Sequence, residues 1–253
     1  MNLPDIDTYL ARIDYHGPTT PTLDTLRGLH LAHLYAIPFE NLDIRLGREI
    51  ILEPDRLFAK IVSARRGGFC YELNGLFAEL LSALGFTVER LAARVWDGQN
   101  YGIELSHMTL RVLLDEPVLA DVGFGEGFRE PLRLVDGLEQ PQTPGKSYRL
   151  VRQGELWRYD SHDAEDGWVP QYLLSPKPLA LAEFQPGCDY QQYSPDSHFR
   201  RGRLCSLARP DGRITLRDDR LIETRDGLKT ESPIGGEGAF QAALAGYFGV
   251  NLG

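Results

Sequence analysis

The sequence predicts an α+β protein: a helical N-terminal part, a central run of short antiparallel strands, and a mixed C-terminal segment. Three observations carry this. Apolar residues keep a helical spacing up to about residue 86, the period turns to alternation from Thr87, and after about Leu179 the two patterns mix. These changes divide the 253 residues into three regions, 1–86, 87–190 and 191–253.

In the first region Ile6, Tyr9, Leu10 and Ile13 stand at i, i+3, i+4 and i+7. Thr22 is placed to cap a second helix carrying Leu23, Leu26, His30 and His33. Pro54 and Asp55 open a third with Leu57, Phe58, Ile61 and Val62 as its apolar stripe. The fourth follows Gly67 and Gly68, a pair expected to permit a tight turn. It carries Leu73, Leu76, Phe77, Leu80, Leu81 and Leu84 and stops at Gly85. In the second region, strands are expected over 88–96, 106–114, 118–124, 148–152 and 156–160, with turn residues between them. Short strands so closely spaced suggest an antiparallel barrel or a sandwich. The third region predicts a helix near 179–184, strands at 203–208 and 214–216 around Pro210-Asp211-Gly212, and a final helix with Phe240, Ala243, Leu244, Tyr247 and Phe248.

The chain is 42% hydrophobic and 25% charged, close to an ordinary globular protein. A net charge of −9 argues against a nucleic-acid partner, and Arg200, Arg201 and Arg203 do not reverse it. No stretch reaches the roughly 20 apolar residues that span a bilayer. The N-terminus, with Pro4, Asp5 and Asp7, lacks the basic and apolar regions of a signal peptide. Three cysteines without CxxC spacing fit a reduced compartment, so a cytoplasmic protein is expected.

Cys70 stands at the start of the fourth helix. Unpaired N–H groups and a partial positive charge there favour thiolate over thiol, and the same amides suit a developing oxyanion. Free cysteine is also among the most buried residue types, so a small core residue is the competing reading and both stand. Cys188 and Cys205 have no comparable setting and read as structural. A thiol nucleophile needs a base, and the base an orienting group. His107, at the start of one strand, and Asp121, near the end of the next, are candidates. With Asp115-Glu116-Pro117 as a three-residue loop the two share a face but lie about four residues, roughly 13 Å, apart along the ladder. A bulge or a bend is then required for contact. His30 and His33 lack an accompanying cysteine or carboxylate motif, so no metal is expected. His162-Asp163-Ala164-Glu165-Asp166 reads as a solvated acidic loop. Gly123-Phe124-Gly125-Glu126-Gly127 opens no helix, which rejects a dinucleotide fingerprint.

Five segments in order extend this reading: Ile37-Pro38-Phe39-Glu40-Asn41-Leu42, Arg66-Gly67-Gly68-Phe69-Cys70-Tyr71-Glu72-Leu73-Asn74, Ser106-His107-Met108, Asp121-Val122-Gly123-Phe124-Gly125 and Ser194-Pro195-Asp196-Ser197-His198-Phe199. Together they resemble the arylamine N-acetyltransferase family. The resemblance implies a helical domain, a β-barrel domain and an α/β lid, with a triad arranged as in cysteine proteases and transglutaminases. It makes Cys70 the nucleophile, His107 the base and Asp121 the orienting carboxylate, with Asn74 supporting the aspartate and Glu40 and Arg66 holding the site together. Phe39, Phe124 and Phe199 match pocket-lining aromatics, and Gly123 and Gly125 match backbone positions near the pantetheine arm of coenzyme A.

The implied reaction is ping-pong acetyl transfer from acetyl-CoA, as co-substrate, to an arylamine or hydrazine, with a role in xenobiotic metabolism. Alternatives are a macrolactam-forming amide synthase, a transglutaminase- or peptidase-like cysteine enzyme, and a non-catalytic binding protein. Many relatives continue beyond the segment matching Tyr247-Phe248-Gly249-Val250, and the resemblance assigns no residue to the nucleotide end of coenzyme A.

Overall fold

The computed structural model describes residues 3–143, 145–163 and 166–252. Its helical start follows the predicted spacing. Helix α1 (Leu3–Arg12) and helix α2 (Leu23–Ala36) bring Tyr9, Leu26 and Leu29 into one core, and the Thr22 hydroxyl caps α2 by accepting the Thr25 N–H at 3.2 Å. A short strand β1 (Phe39–Glu40), helix α3 (Leu42–Leu46) and helix α4 (Pro54–Phe58) follow, and α4 continues as a π-helical turn over Ala59–Ser63.

Helix α5 (Cys70–Ala83) is buried at every position from Cys70 to Ala78. A helix covered on all sides is a core element rather than an amphipathic surface one. It sits between the N-terminal helices and the first strands of the barrel.

The central sheet settles the choice between barrel and sandwich. It contains β2 (Thr87–Val95), β3 (His107–Leu113), β4 (Val118–Ala120), β5 (Leu132–Arg133), β6 (Gln140–Thr143), β7 (Lys146–Gln153), β8 (Leu156–Asp163) and β9 (Gly167–Leu179). The antiparallel order is β5-β4-β3-β2-β9-β8-β7-β6. Its two ends meet through side chains instead of a ladder. Gln140 Oε1 accepts the Arg133 N–H at 2.9 Å, and Gln142 Oε1 accepts the N–H groups of Arg129 and Glu130 at 2.8 and 3.0 Å. These glutamines satisfy edge groups that a strand would otherwise pair.

Strand β9 is absent from the sequence reading because Pro170, Pro176 and Pro178 argue against a strand. The register shifts where Asp160 faces Pro170, so the missing N–H falls at an irregularity. Strand β8 runs on to Asp163, so His162 is a strand residue whose ring lies 5.1 Å from that of Trp168 rather than part of a loop; Ala164 and Glu165 lie outside the described residues.

After β9 come a 3₁₀ turn over Leu181–Phe184, helix α6 (Gln185–Tyr193) and a second 3₁₀ turn over His198–Arg200. The helix expected near 179–184 is thus a 3₁₀ turn leading into a longer helix, and Pro186 stands in the first turn of α6, where no intrahelical N–H is lost. Strands β10 (Leu204–Arg209), β11 (Gly212–Arg217), β12 (Arg220–Arg225) and β13 (Leu228–Pro233) form a second antiparallel sheet in the order β1-β10-β11-β12-β13. Ile214 and Leu216 pack from its inner face with Phe240, Leu244 and Phe248 of helix α7 (Gly236–Phe248).

The turn that leads into α5 is held from below by Arg12. Its guanidinium donates to the carbonyls of Ile61 at 3.1 Å and Ala36 at 2.8 Å, and to those of Arg65 and Arg66 at 3.4 Å. Burial pulls its pKa down to about 10. Arg65 has a φ of 52°, the left-handed region that side-chain-bearing residues seldom occupy, so this turn carries strain that Arg12 offsets. Replacing Arg12 by Met leaves these carbonyls without their donor and is expected to lower stability by about 3 kcal/mol in chemical denaturation. For a chain of this size that loss corresponds to a melting temperature lower by roughly 6–12 °C.

Candidate active site

Cys70 is the first residue of α5 and is 3% exposed. The first turn of a helix has N–H groups without intrahelical partners. At this end of α5 the Phe69 N–H is satisfied by Glu72 Oε2 at 3.2 Å and the Glu72 N–H by the Phe69 carbonyl at 3.0 Å. The two glycines before it do not supply the tight turn: neither has a positive φ, and the left-handed residue is Arg65. Their role is close approach. A Cβ on Gly67 would stand 2.0 Å from the Pro38 carbonyl oxygen.

His107 and Asp121 meet because the hairpin between them differs from the expected one. Strand β3 pairs with β4 as Leu110↔Ala120, Arg111↔Leu119 and Val112↔Val118, so residues 113–117 form the loop instead of 115–117. That register halves the offset from four residues to two, and β4 ends at Ala120 rather than at 124, so the chain leaves the ladder at Asp121. Side-chain alternation does the rest. Met108 and Leu110 join the helical core, while His107 and Thr109 lie on the opposite face of β3.

The His107 ring donates through Nε2 to Asp121 Oδ2 at 2.7 Å, and the ring and Cys70 line the same cavity, near enough for the sulfur to favour charge on the imidazole. Because Nε2 is committed to the carboxylate, Nδ1 is the nitrogen left for sulfur. Burial opposes charge on the ring, but the Asp121 carboxylate, its hydrogen bond and Cys70 outweigh it and raise the pKa to about 10. Burial likewise opposes charge on Asp121, yet His107, Asn74 and the Gly123 N–H hold its carboxyl below the usual range.

All four acceptor directions of Asp121 are used. Oδ1 accepts Asn74 Nδ2 at 2.8 Å and the Gly123 N–H at 3.0 Å; Oδ2 accepts His107 and the Tyr172 hydroxyl, the latter at 2.9 Å. Asn74 also donates to the Met108 carbonyl at 2.6 Å and accepts the Val122 N–H at 2.9 Å. His30 supports the same residue from behind: Nε2 accepts the Asp121 N–H at 3.2 Å and Nδ1 donates to the Arg129 carbonyl at 2.8 Å. Burial lowers the His30 pKa to about 4, so the ring is neutral and its tautomer fixed.

Beneath Cys70 runs a buried chain of alternating charge. Arg66 reaches Glu40 at 2.7 Å and Asp43 at 3.0 Å, and Lys60 reaches Asp43 and Glu72 at 2.7 Å each. Burial raises the Glu72 pKa to about 7 against the pull of Lys60. Glu40 and Arg66 are in contact, a pairing that the resemblance did not specify; Asp43, Lys60 and Glu72 complete the chain without having been assigned a part.

The thiol opens onto a cavity of about 700 Å³ whose lining includes His107, Phe39, Phe124 and Phe199. The Phe39 and Phe199 ring centres are 6.0 Å apart, and Phe124 meets the His107 ring edge-on at 5.2 Å. Asn41 secures the segment carrying Phe199, donating to the Phe199 and Gly202 carbonyls at 2.9 and 2.8 Å. Gly123 and Gly125 also line the cavity, and Gly123 has a packing duty as well: a Cβ there would lie 2.7 Å from Cys70 Cα and 2.8 Å from Asn74 Nδ2. The other thiols, Cys188 and Cys205, are buried, and burial pushes both up in pKa.

A family model described as N-acetyltransferase matches residues 22–253. The chain is 36% identical over 261 residues to an arylamine N-acetyltransferase of Mycolicibacterium smegmatis, covering 98% of this chain and 93% of that one. It is 37% identical to the Escherichia coli arylamine N-acetyltransferase over 90% of this chain and 82% of that one. The chain belongs to the arylamine N-acetyltransferase family. Solved structures of the family agree: the Salmonella typhimurium arylamine N-acetyltransferase superposes with a TM-score of 0.92 at 35% identity, over 99% of this chain and 92% of that one. The Mycobacterium marinum arylamine N-acetyltransferase in complex with CoA gives 0.90 at 35%, over 98% and 93%. As a member of the arylamine N-acetyltransferase family the protein is an acyltransferase.

Tyr172 and His30, which contact Asp121, are further residues to which the sequence reading gave no part in the site. Tyr172 lies in the strand hidden by prolines, and His30 reads from the sequence as a helix-face residue and, with His33, as a metal ligand set aside for want of partners. Neither position carries a local signal of its partner, Asp121.

Two outcomes follow from this geometry. His107 has a raised pKa, so its pairing stabilises fully below its unfolded value near 6.5 and is lost as pH rises through about 10; Asp121, with a lowered pKa, contributes above about 3.8. The gap in melting temperature between wild type and Asp121→Asn is therefore expected to be widest between those limits, pH 3.8 to 6.5, and to shrink toward pH 10. Gly123→Ala forces the 121–125 turn away from Cys70, and a displacement of that kind is expected to lower kcat/KM about 100-fold and to slow iodoacetamide alkylation of Cys70.

Proposed function

We propose that the protein transfers an acetyl group from acetyl-CoA to an arylamine or arylhydrazine through an acetyl-Cys70 intermediate. The observation that carries this reading is a buried Cys70 on the same aromatic cavity as a buried imidazole whose Nε2 is committed to Asp121. In the first half-reaction the Cys70 sulfur attacks the thioester carbonyl, the carbon–sulfur bond to coenzyme A breaks, and His107 gives the departing thiolate its proton. Main-chain amides at the start of α5 are placed to receive the tetrahedral oxyanion. In the second, the acceptor nitrogen attacks acetyl-Cys70, its proton passes to His107, and the sulfur is released.

Asp121 holds the imidazole in the tautomer that both halves require. Phe39, Phe124 and Phe199 favour a flat acceptor whose amine is neutral at pH 7, since a protonated amine has no lone pair to attack with and is costly to desolvate. Acetyl-CoA as donor is supported by the likeness to the Mycobacterium marinum structure in complex with CoA, and Gly123 and Gly125, on the cavity wall, suit backbone contacts to its pantetheine arm. The division into 1–86, 87–190 and 191–253 goes with this reading, the nucleophile belonging to the first part and His107 and Asp121 to the second. Three free thiols support a cytoplasmic location, and among the described residues no helix is long and apolar enough to cross a membrane.

Intact-mass spectrometry tests the intermediate directly. Wild type incubated with acetyl-CoA is expected to gain one acetyl group, Cys70→Ser none, and an aniline-type acceptor is expected to discharge the adduct. Absence of an adduct on wild type, or its persistence on Cys70→Ser, rules the mechanism out. Amide cleavage without coenzyme A would favour a peptidase-like activity instead.

A further inference from the structure

The wall of the cavity formed by the second sheet is polar, and alternation along β11 explains why. Ile214 and Leu216 point to α7, so Arg213, Thr215 and Arg217 occupy the other face and line the cavity. On the neighbouring strand β10, Ser206 faces Thr215 in register and their hydroxyls are 2.7 Å apart. The Arg213 Nη1 donates to the same Ser206 oxygen at 2.9 Å.

Arg213 is half-buried, yet among the described residues no carboxylate lies within ion-pairing distance of it. Glu126, which lines the same cavity, is engaged with Lys146 at 2.8 Å. Burial and the neighbouring Arg129 lower the Arg213 pKa although Glu126 opposes them, the mark of a cation whose surroundings do not fully compensate its charge. Guanidinium groups are planar forks suited to two oxygens of one oxyanion, and one nitrogen of this fork is already held by Ser206.

We propose that Arg213, oriented by Ser206, is an anion-binding residue of the cavity that receives an oxyanion carried by a substrate: the carboxylate of an acidic arylamine or a phosphate of the acyl donor. This rests on the acetyl-transfer reading of the cavity. In a chain of net charge −9, such a site also counters the general repulsion of an anionic ligand. A carboxylate remote from the amine leaves that amine neutral and nucleophilic, so the site is compatible with the aromatic pocket.

The test compares wild type, Arg213→Gln, Arg213→Lys and Ser206→Ala with 4-aminobenzoate and 4-aminobenzamide as acceptors, and with acetyl-CoA and p-nitrophenyl acetate as donors. If the acceptor supplies the anion, the ratio of kcat/KM for 4-aminobenzoate over 4-aminobenzamide is expected to fall about 30-fold in Arg213→Gln with either donor, and less in Arg213→Lys and Ser206→Ala. If the donor supplies it, the ratio of kcat/KM for acetyl-CoA over p-nitrophenyl acetate falls instead, with both acceptors. Variants that leave both ratios at wild-type values overturn the proposal, whatever happens to the overall rate. Should wild type transfer no acetyl group at all, calorimetric titration with 4-aminobenzoate and with inorganic pyrophosphate decides separately: binding by wild type that is lost in Arg213→Gln upholds the anion site, and equal or absent binding in the two ends it.

Discussion

The Asp121 carboxylate is the point on which the site is assembled. Its four hydrogen bonds come from α5 through Asn74, from β3 through His107, from β9 through Tyr172 and from its own turn through the Gly123 N–H. A buried carboxylate without such partners would carry a penalty of several kcal/mol and would take up a proton instead. Full satisfaction reverses this, keeping the group ionised and making any displacement of α5, β3 or β9 costly. The imidazole that mediates between this carboxylate and Cys70 inherits both its orientation and its raised pKa from the arrangement.

The charge chain of Glu40, Arg66, Asp43, Lys60 and Glu72 performs a comparable task one layer deeper. Glu72 joins Lys60 with one oxygen and caps Phe69 with the other, so the helix start that presents the thiol is connected to β1 and α3 through paired charges. Glu40 in turn accepts the Leu42 N–H at 2.7 Å. Ion pairs of this kind are poor sources of net stability but strong determinants of geometry, because each partner is costly to leave alone.

Much of this was legible in the residues. The period change at Thr87, the helix beginning at Cys70 and the candidacy of His107 and Asp121 all come from local pattern, and the ordered motifs pick out Asn74, Glu40 and Arg66. The contact between His107 and Asp121 was not legible, since it depends on a hairpin register that five loop residues leave open. Tyr172 was hidden by the prolines around it, β13 by its wholly exposed residues, and β12 by the adjacent Leu221 and Ile222 among charged neighbours, which show no apolar alternation. The glycines at 67 and 68 show the same limit from another side. Their presence is visible, but a reading based on backbone freedom assigns them the turn that Arg65 makes, whereas the carbonyl of Pro38 explains why no side chain fits at 67.

The short strand β1 has a consequence for access. It pairs with β10 through Phe39↔Ser206 and Glu40↔Cys205, and on its other side the Glu40 N–H donates to the Gly68 carbonyl at 2.8 Å. Two residues therefore stitch the second sheet, a wall of the cavity, to the backbone shortly before Cys70. To swing this wall aside would break main-chain bonds on the flanks of β1 and pull on the segment that leads to Cys70. Opening of the cavity along this edge is therefore resisted by main-chain hydrogen bonds as well as by side-chain packing.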